Sequence, residues 1–293
     1  MKDFFLKILT RISPILNTQL WYRHRFGRWP DLIHPQTFNE KVLWLKLNTY
    51  SHDPLATQCA DKYAVREYVR QQGCAEILNP IYGAWSDPDA IDFEALPDKF
   101  VLKSNYFYHM NLVVPDKSKL DIPATRQLLR RWMADDGHLV RSEMQYAGIP
   151  KKVIAEQFIE TQDGAAPIDY KVYCSYGKPS YVMTCIGRTA DQVPLFYFYD
   201  LEGNLMRTFS REGAAVPKDY SYAKPQGWEQ MLAYARKLSA PFPFVRVDFY
   251  IEAGQVIFGE LTFTPCSGLD TDLTPEAEKE LAATVTLPIA GKR

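Results

Sequence analysis

The 293-residue sequence predicts an α+β protein. Helical and extended patterns are mixed along it without a repeating β-α-β rhythm, which argues against a doubly wound parallel sheet. Its last long extended stretch, residues 244–264, alternates polar and apolar side chains as a hairpin with one buried face does. With 46% hydrophobic and 14% aromatic residues the composition is that of a packed globular chain, long enough for one large or two modest domains.

Residues 1–34 form a basic segment. Phe4, Phe5, Ile8, Leu9, Ile12 and Leu16 recur at helical spacing as one apolar stripe. Lys2, Lys7, Arg11, Arg23, Arg25 and Arg28 oppose Asp3 alone, six bases minus one acid, or +5. Lys7 and Arg11 interrupt the apolar core that a signal peptide needs. Such a helix either packs its stripe on the body of the protein or lies on an anionic membrane surface.

Residues 35–98 read mostly helical. Thr37 and Glu40 fit a capping box that opens a helix through Lys46. Asp61 caps a second helix, Lys62 to Gln71, which ends near Gly73. The Pro- and Asp-rich stretch from Asp87 to Asp98 marks a boundary. The pattern then turns extended, and residues 99–155 and 156–293 are expected as two further units. Strands are predicted at 100–103 and 111–114, with a helix from Asp121 and Pro123 to about Met133. More strands follow at 153–159, 170–176 and 181–186, and then a helix from Trp228 to about Leu238.

The closing hairpin carries the chemistry. Arg246, Asp248 and Tyr250 share one face of its first strand; Phe258, Glu260, Thr262 and Thr264 share one face of its second, opposite Ile257, Leu261 and Phe263. Pairing Ile251 with Ile257 sets Asp248 across from Glu260. Pairing Ile251 with Gln255 leaves the three-residue loop Glu252-Ala253-Gly254 and sets Arg246 across from Glu260. Both registers put two carboxylates within about 8 Å of each other. Like charges so placed call for a cation, either a hard divalent metal such as magnesium or Arg246 itself.

Several functions are excluded on composition. Thirty-four Lys and Arg against 35 Asp and Glu give a net charge of −1, too little for a strongly basic nucleic-acid binder. Five cysteines without a Cys-x-x-Cys pair argue against a disulfide framework or a cysteine zinc site and favour a reducing cytoplasm. No apolar run approaches the roughly 20 residues that span a bilayer. Of the five histidines, His109 alone falls near the candidate cleft, and it is expected to be structural.

A set of short motifs occurs in a familiar order: Asp-Lys-Tyr-Ala-Val-Arg (61–66), Phe-Val-Leu-Lys (100–103), Ile-Ala-Glu (154–156), Asp-Tyr-Lys (169–171), Phe-Val-Arg-Val-Asp (244–248) and Phe-Gly-Glu-Leu-Thr-Phe-Thr-Pro-Cys-Ser-Gly (258–268). Together they resemble the ATP-grasp superfamily, in particular its TupA-like branch, named for teichuronopeptide biosynthesis. The resemblance implies an ATP-grasp fold, two α+β lobes with a nucleotide cleft between them, behind a mostly helical amino-terminal region. It also implies ATP and Mg²⁺. Lys103 and Lys62 match the phosphate-contacting lysines, and Glu156 with the backbone near Phe158 matches the adenine-recognising hinge. Lys171 joins the nucleotide-binding set, and Asp248 and Glu260 match the magnesium carboxylates. Thr262 stands where many relatives have Asn. Arg246 and Arg188 are candidates to neutralise an acyl phosphate.

The implied activity is a carboxylate–amine ligase of cell-surface polysaccharide biosynthesis. It would join a glycan or sugar acid, lipid-linked if the amino terminus meets a membrane, to an amine or amino acid. A sugar phosphotransferase, a glycosyltransferase or a non-catalytic binding protein of the same pathway are the alternatives. One segment departs from the family. Ser104 to Asn111 has no glycine where a glycine-rich loop usually covers the phosphates, so its aromatics either stack on a sugar or base or weaken nucleotide handling.

Overall fold

The structure, a computed structural model, describes residues 2–162, 164–187, 194–218, 220 and 222–288. The chain opens with helices α1 (Lys2–Ile12) and α2 (Pro14–Phe26), followed by α3 (Phe38–Leu45), α4 (Pro54–Ala60) and α5 (Val65–Gln71). The capping box at the start of α3 is formed, with Thr37 and Glu40 satisfying each other's backbone N–H groups. Asp61 Oδ1 accepts from the N–H of Tyr63 and of Ala64, and a turn through Lys62 leads into α5.

Strands β1 (Ile81–Trp85), β2 (Phe100–Ser104) and β3 (Asn111–Val114) precede α6 (Ile122–Ala134) and β4 (Val153–Gln157). They form an antiparallel sheet in the order β1-β4-β2-β3. α6 covers it, with Leu129 and Trp132 against Phe100, Leu102 and Val153. β1 is a difference from the sequence reading, which made residues 81–85 part of a helical region. Five residues are too few to show a period, and Gly83 interrupts them at the register shift where the strand pairs with β4.

The second sheet holds β5 (Asp169–Ser175), β6 (Lys178–Ile186), β7 (Leu195–Tyr199), β8 (Val245–Glu252) and β9 (Gln255–Thr262), all antiparallel, in the order β7-β6-β5-β8-β9. Between β7 and β8 lie α7 (Arg211–Ala215) and α8 (Trp228–Ser239); α9 (Pro275–Thr284) follows β9. Met231, Leu232, Ala235 and Leu238 of α8 join Val172, Val245 and Val247 in the main core. That leaves the opposite face of β5, β8 and β9 for polar groups. β7 and α9 also went unread in the sequence. All five cysteines are free, four of them buried.

The β8–β9 hairpin adopts neither simple register. Asp248 pairs with Glu260, but Phe249 pairs with Phe258, so Gly259 is an extra residue. A Cβ at Gly259 would meet the Asp248 carbonyl oxygen at 2.9 Å, which explains glycine there. The bulge reverses the expected facing of the hairpin's far end. Val256 and Phe258 enter the core, each 6% exposed, in place of Ile257, while Glu260 stays beside Asp248. The turn is two residues, Ala253 (φ 48°) and Gly254 (φ 77°), rather than three.

The amino-terminal stripe does not pack on the body. Ser13 and Pro14 split it between α1 and α2, and Phe4, Phe5, Ile12 and Ile15 are all more than half exposed.

Candidate functional site

Three strands of the larger sheet build the site by register. Lys171 on β5, Asp248 on β8 and Glu260 on β9 stand side by side in one cross-strand row. Tyr173, Arg246 and Thr262 make the next row. The period of 2 along each strand brings Asp169 to the same face as Lys171.

Asp248, 2% exposed, is the hub. Its Oδ1 accepts from Arg246 Nε at 2.7 Å, and its Oδ2 accepts from Arg246 Nη2 and from Lys171 Nζ, each at 2.7 Å. Lys171 Nζ also donates to Asp169 Oδ2 at 2.6 Å. Arg246 Nη2 reaches Thr262 Oγ1 at 3.2 Å, and that hydroxyl donates to Glu260 Oε1 at 3.3 Å. Burial works against the Arg246 charge, but Asp248 outweighs it and raises the guanidinium well above its ordinary value.

The smaller sheet and the turn before α5 supply two more cations. Lys103, on β2, donates to Glu156 Oε2 of β4 at 2.6 Å. Lys103 and Ile154 are cross-strand partners, so the Glu156 carboxylate reaches diagonally. Burial disfavours the Lys103 ammonium, but Glu156, with Glu260 and Asp169 beyond, raises its pKa and keeps it charged. Lys62 Nζ lies 3.4 Å from Glu260 Oε2 and donates to the Phe107 carbonyl at 2.6 Å. It joins the segment after β2 to the carboxylate strand.

Lys62, Lys103, Lys171 and Arg246 (+4) and Glu156, Asp169, Asp248 and Glu260 (−4) thus form one cluster whose formal charges cancel. Burial alone would raise the Glu260 carboxyl, but Lys62, Lys171, Arg246 and Lys103 hold it down at about 2. A carboxylate with a depressed folded pKa contributes stability above its unfolded value of 4.5 and loses it as pH falls through the folded value of about 2. Glu260→Gln is therefore expected to lower the urea midpoint at pH 7, and the gap to wild type should narrow between about pH 4.5 and 2.

The donor set fits a divalent cation by type. Asp248, Glu260 and Thr262 offer hard oxygens only, suited to magnesium and not to zinc. No group of three or more metal-ligating His, Cys, Asp or Glu side chains occurs among the described residues. Arg246 and Lys171 already engage both oxygens of Asp248, so arginine neutralisation, the alternative to metal in the sequence reading, is present in this conformation.

The glycine-free segment 104–111 is pinned from below. Tyr106 and Phe107 are 1% and 7% exposed and turn inward, beside His138 and Tyr146, where they cannot stack on a ligand. Asn105 Nδ2 donates to Asp61 Oδ1 at 2.8 Å and to the Pro150 carbonyl at 3.1 Å. Phe107 (φ 63°) and His109 (φ 59°) take the left-handed conformation without being glycine, and His109 is exposed.

Eight of the ten sequence-predicted site residues therefore converge. Phe158, two residues after Glu156, is not one of the cluster's charged groups; it lines a cavity of about 770 Å³ with Leu78, Ile159, Tyr234 and Val256. Arg188 lies outside the described residues. One cluster member, Asp169, was missed, and so was Arg66 at the cluster's edge. Asp169 opens the quoted Asp-Tyr-Lys motif, and its spacing of two from Lys171 was the signal. Arg66, four residues after Lys62, is 8% exposed beside Glu156, and its Nε has no hydrogen-bond partner among the described residues.

The family model of the TupA-like ATPgrasp proteins matches residues 40–286. Among solved structures, N5-carboxyaminoimidazole synthase from Aspergillus clavatus, in complex with ADP and its ribonucleotide, is 15% identical over 71% of this chain and 46% of its own, with a TM-score of 0.43. D-alanine–D-alanine ligase from Bacillus anthracis complexed with ATP is 13% identical over 78% and 64%, with a TM-score of 0.45. D-cycloserine synthetase DcsG is 14% identical over 80% and 72%, with a TM-score of 0.46. The chain spans less than two thirds of the length of the first two. No curated protein matches it.

Proposed function

The chain belongs to the TupA-like ATP-grasp family, and from that premise we propose that it is an ATP- and Mg²⁺-dependent carboxylate–amine ligase of cell-surface polysaccharide biosynthesis. The observation that carries this reading is the Lys171–Asp248–Glu260 row, with Lys62 paired to Glu260 and Lys103 within electrostatic reach of it. Paired carboxylates ringed by four cations suit a metal–triphosphate complex, which brings both signs of charge into a neutral cluster.

In this reading a carboxylate oxygen of the acceptor, a sugar acid or glycan, attacks the γ-phosphorus of ATP and ADP leaves. The amine nitrogen of the co-substrate then attacks the acyl carbon, loses a proton, and inorganic phosphate departs. Lys103 and Lys62 hold the phosphates, and Arg246 offsets charge on the acyl phosphate, as Arg188 would from outside the described residues. Glu156 and the backbone near Phe158 flank the adenine. Asp248, Glu260 and Thr262 would hold Mg²⁺, which would supply charge neutralisation at the transferring phosphoryl group. ATP use and five free thiols suit a cytoplasmic, reducing compartment.

The pinned, glycine-free loop favours a second reading, a binding protein of the same pathway. Phosphate release separates the two. A ligase is expected to release phosphate from ATP only when both a sugar acid and an amine are present, with an amide as the product. ATP-independent retention of glycan without phosphate release would support the binding protein, and a phosphorylated sugar would instead identify a phosphotransferase.

A further inference from the structure

The amino-terminal helix pair is amphipathic in the opposite sense to a packed element. α1 holds the body through polar groups, and α2 through polar groups together with the buried Tyr22 ring. Thr10 Oγ1 donates to the Leu139 carbonyl at 2.6 Å, and the Val140 carbonyl accepts from Asn17 Nδ2 at 3.0 Å and Trp21 Nε1 at 2.8 Å. The apolar stripe faces outward, with Phe4 64%, Phe5 63%, Ile12 76% and Ile15 55% exposed. Of the fourteen exposed large hydrophobic side chains among the described residues, nine lie between Phe4 and Ile33. A helix ordinarily turns its apolar stripe to the core, so a cluster left outside marks an interaction surface.

Charge selects the occupant. Residues 1–30 carry six bases and one acid, +5, against −6 for the rest of the chain, and of these bases Lys7 and Arg28 are paired with Asp135 and Glu40, at 3.9 and 2.6 Å. Arg11, Arg23 and Arg25 are exposed on the same helices. A second copy docked through this face would bring two such positive surfaces together, which like-charge repulsion opposes. An anionic bilayer accepts both features, apolar side chains at the acyl boundary and guanidinium groups among the phosphates. The Arg23 guanidinium lies 4.8 Å from the centroid of the half-exposed Trp29 ring, a pairing suited to headgroup depth. No helix among the described residues is long and apolar enough to cross a membrane, so the contact is peripheral.

We propose that α1 and α2 seat this protein on an anionic lipid surface. The pair also reaches the loop that follows the carboxylate hairpin. Arg25 Nη2 donates to Thr271 Oγ1 at 2.7 Å, and Tyr22 packs with Leu43 and Leu269.

Vesicle flotation tests this with the full chain. Phosphatidylcholine vesicles containing about one-third phosphatidylglycerol, in about 0.1 M salt, are expected to carry the protein up, and phosphatidylcholine alone is not. Arg11→Glu with Arg23→Glu should weaken flotation at least about tenfold. Phe5→Ser with Ile12→Ser should do the same. Both double variants should keep the wild-type unfolding midpoint, because these side chains are already exposed. Absent flotation, equal flotation on neutral vesicles, or flotation unchanged in both variants overturns the proposal. So does a lipid-free dimer in sedimentation velocity that Phe5→Ser with Ile12→Ser dissolves, which would assign the face to a second copy.

Discussion

Asp248→Ala is expected to lower the free energy of unfolding by about 3–5 kcal/mol. Asp248 is 2% exposed and accepts three charge-assisted hydrogen bonds, two from Arg246 and one from Lys171. Lys171 would retain Asp169 as a partner, but among the described residues Arg246 would keep hydrogen bonding only to the Thr262 hydroxyl. The loss therefore comes mainly from a buried guanidinium left without its counter-charge, not from the missing carboxylate itself. Asp248→Leu combined with Arg246→Met should recover most of the loss, because removing both members of a buried pair is nearly neutral where removing one is not. Urea unfolding of the two single variants and the double variant measures this. A double variant that loses the sum of the single losses would show that the two side chains are not coupled.

Lys103→Ala is expected to reduce turnover by about a hundredfold to a thousandfold while the protein stays folded. Lys103 is the cation that the smaller sheet contributes, 2.6 Å from Glu156 and within electrostatic reach of Glu260 and Asp169. Removing it takes a positive charge from the place where phosphate charge would develop. Its cost in stability should be smaller than that of Asp248→Ala. The Lys103 side chain is 23% exposed, so water can partly solvate Glu156, and Arg66 remains electrostatically close to that carboxylate. Steady-state kinetics beside an unfolding midpoint separates the two effects. A large loss of activity with a small fall in midpoint is the expected pattern, and a matching fall in both would make Lys103 a structural residue.

The larger sheet was the most legible part of the sequence. Alternation placed Asp248 and Glu260 on one face in either register, and the structure pairs them. The bulge at Gly259 was not foreseen, although a lone glycine inside a strand is a standing sign of one, and it moved Phe258 rather than Ile257 into the core. Asp169 was missed because charge pairing was sought across the hairpin and not along β5. Local pattern shows which residues share a face but not what covers that face. The inward rings of Tyr106 and Phe107 escaped for that reason, and the stripe of α1 stayed open between packing and exposure, since each depends on residues 138–146, far away in sequence. β1 was hidden for the same reason, because its five residues gain strand character by pairing with β4.

Calorimetric titration of the wild-type chain with ATP and Mg²⁺, beside Lys103→Ala and Asp248→Asn, asks whether the eight-charge cluster is a working metal–nucleotide site. Binding to the wild type that requires Mg²⁺ and falls at least about tenfold in both variants is the expected result. A folded wild-type protein that takes up no ATP would contradict that role and leave the cluster a neutral ion-pair network holding β5, β8 and β9 to the smaller sheet.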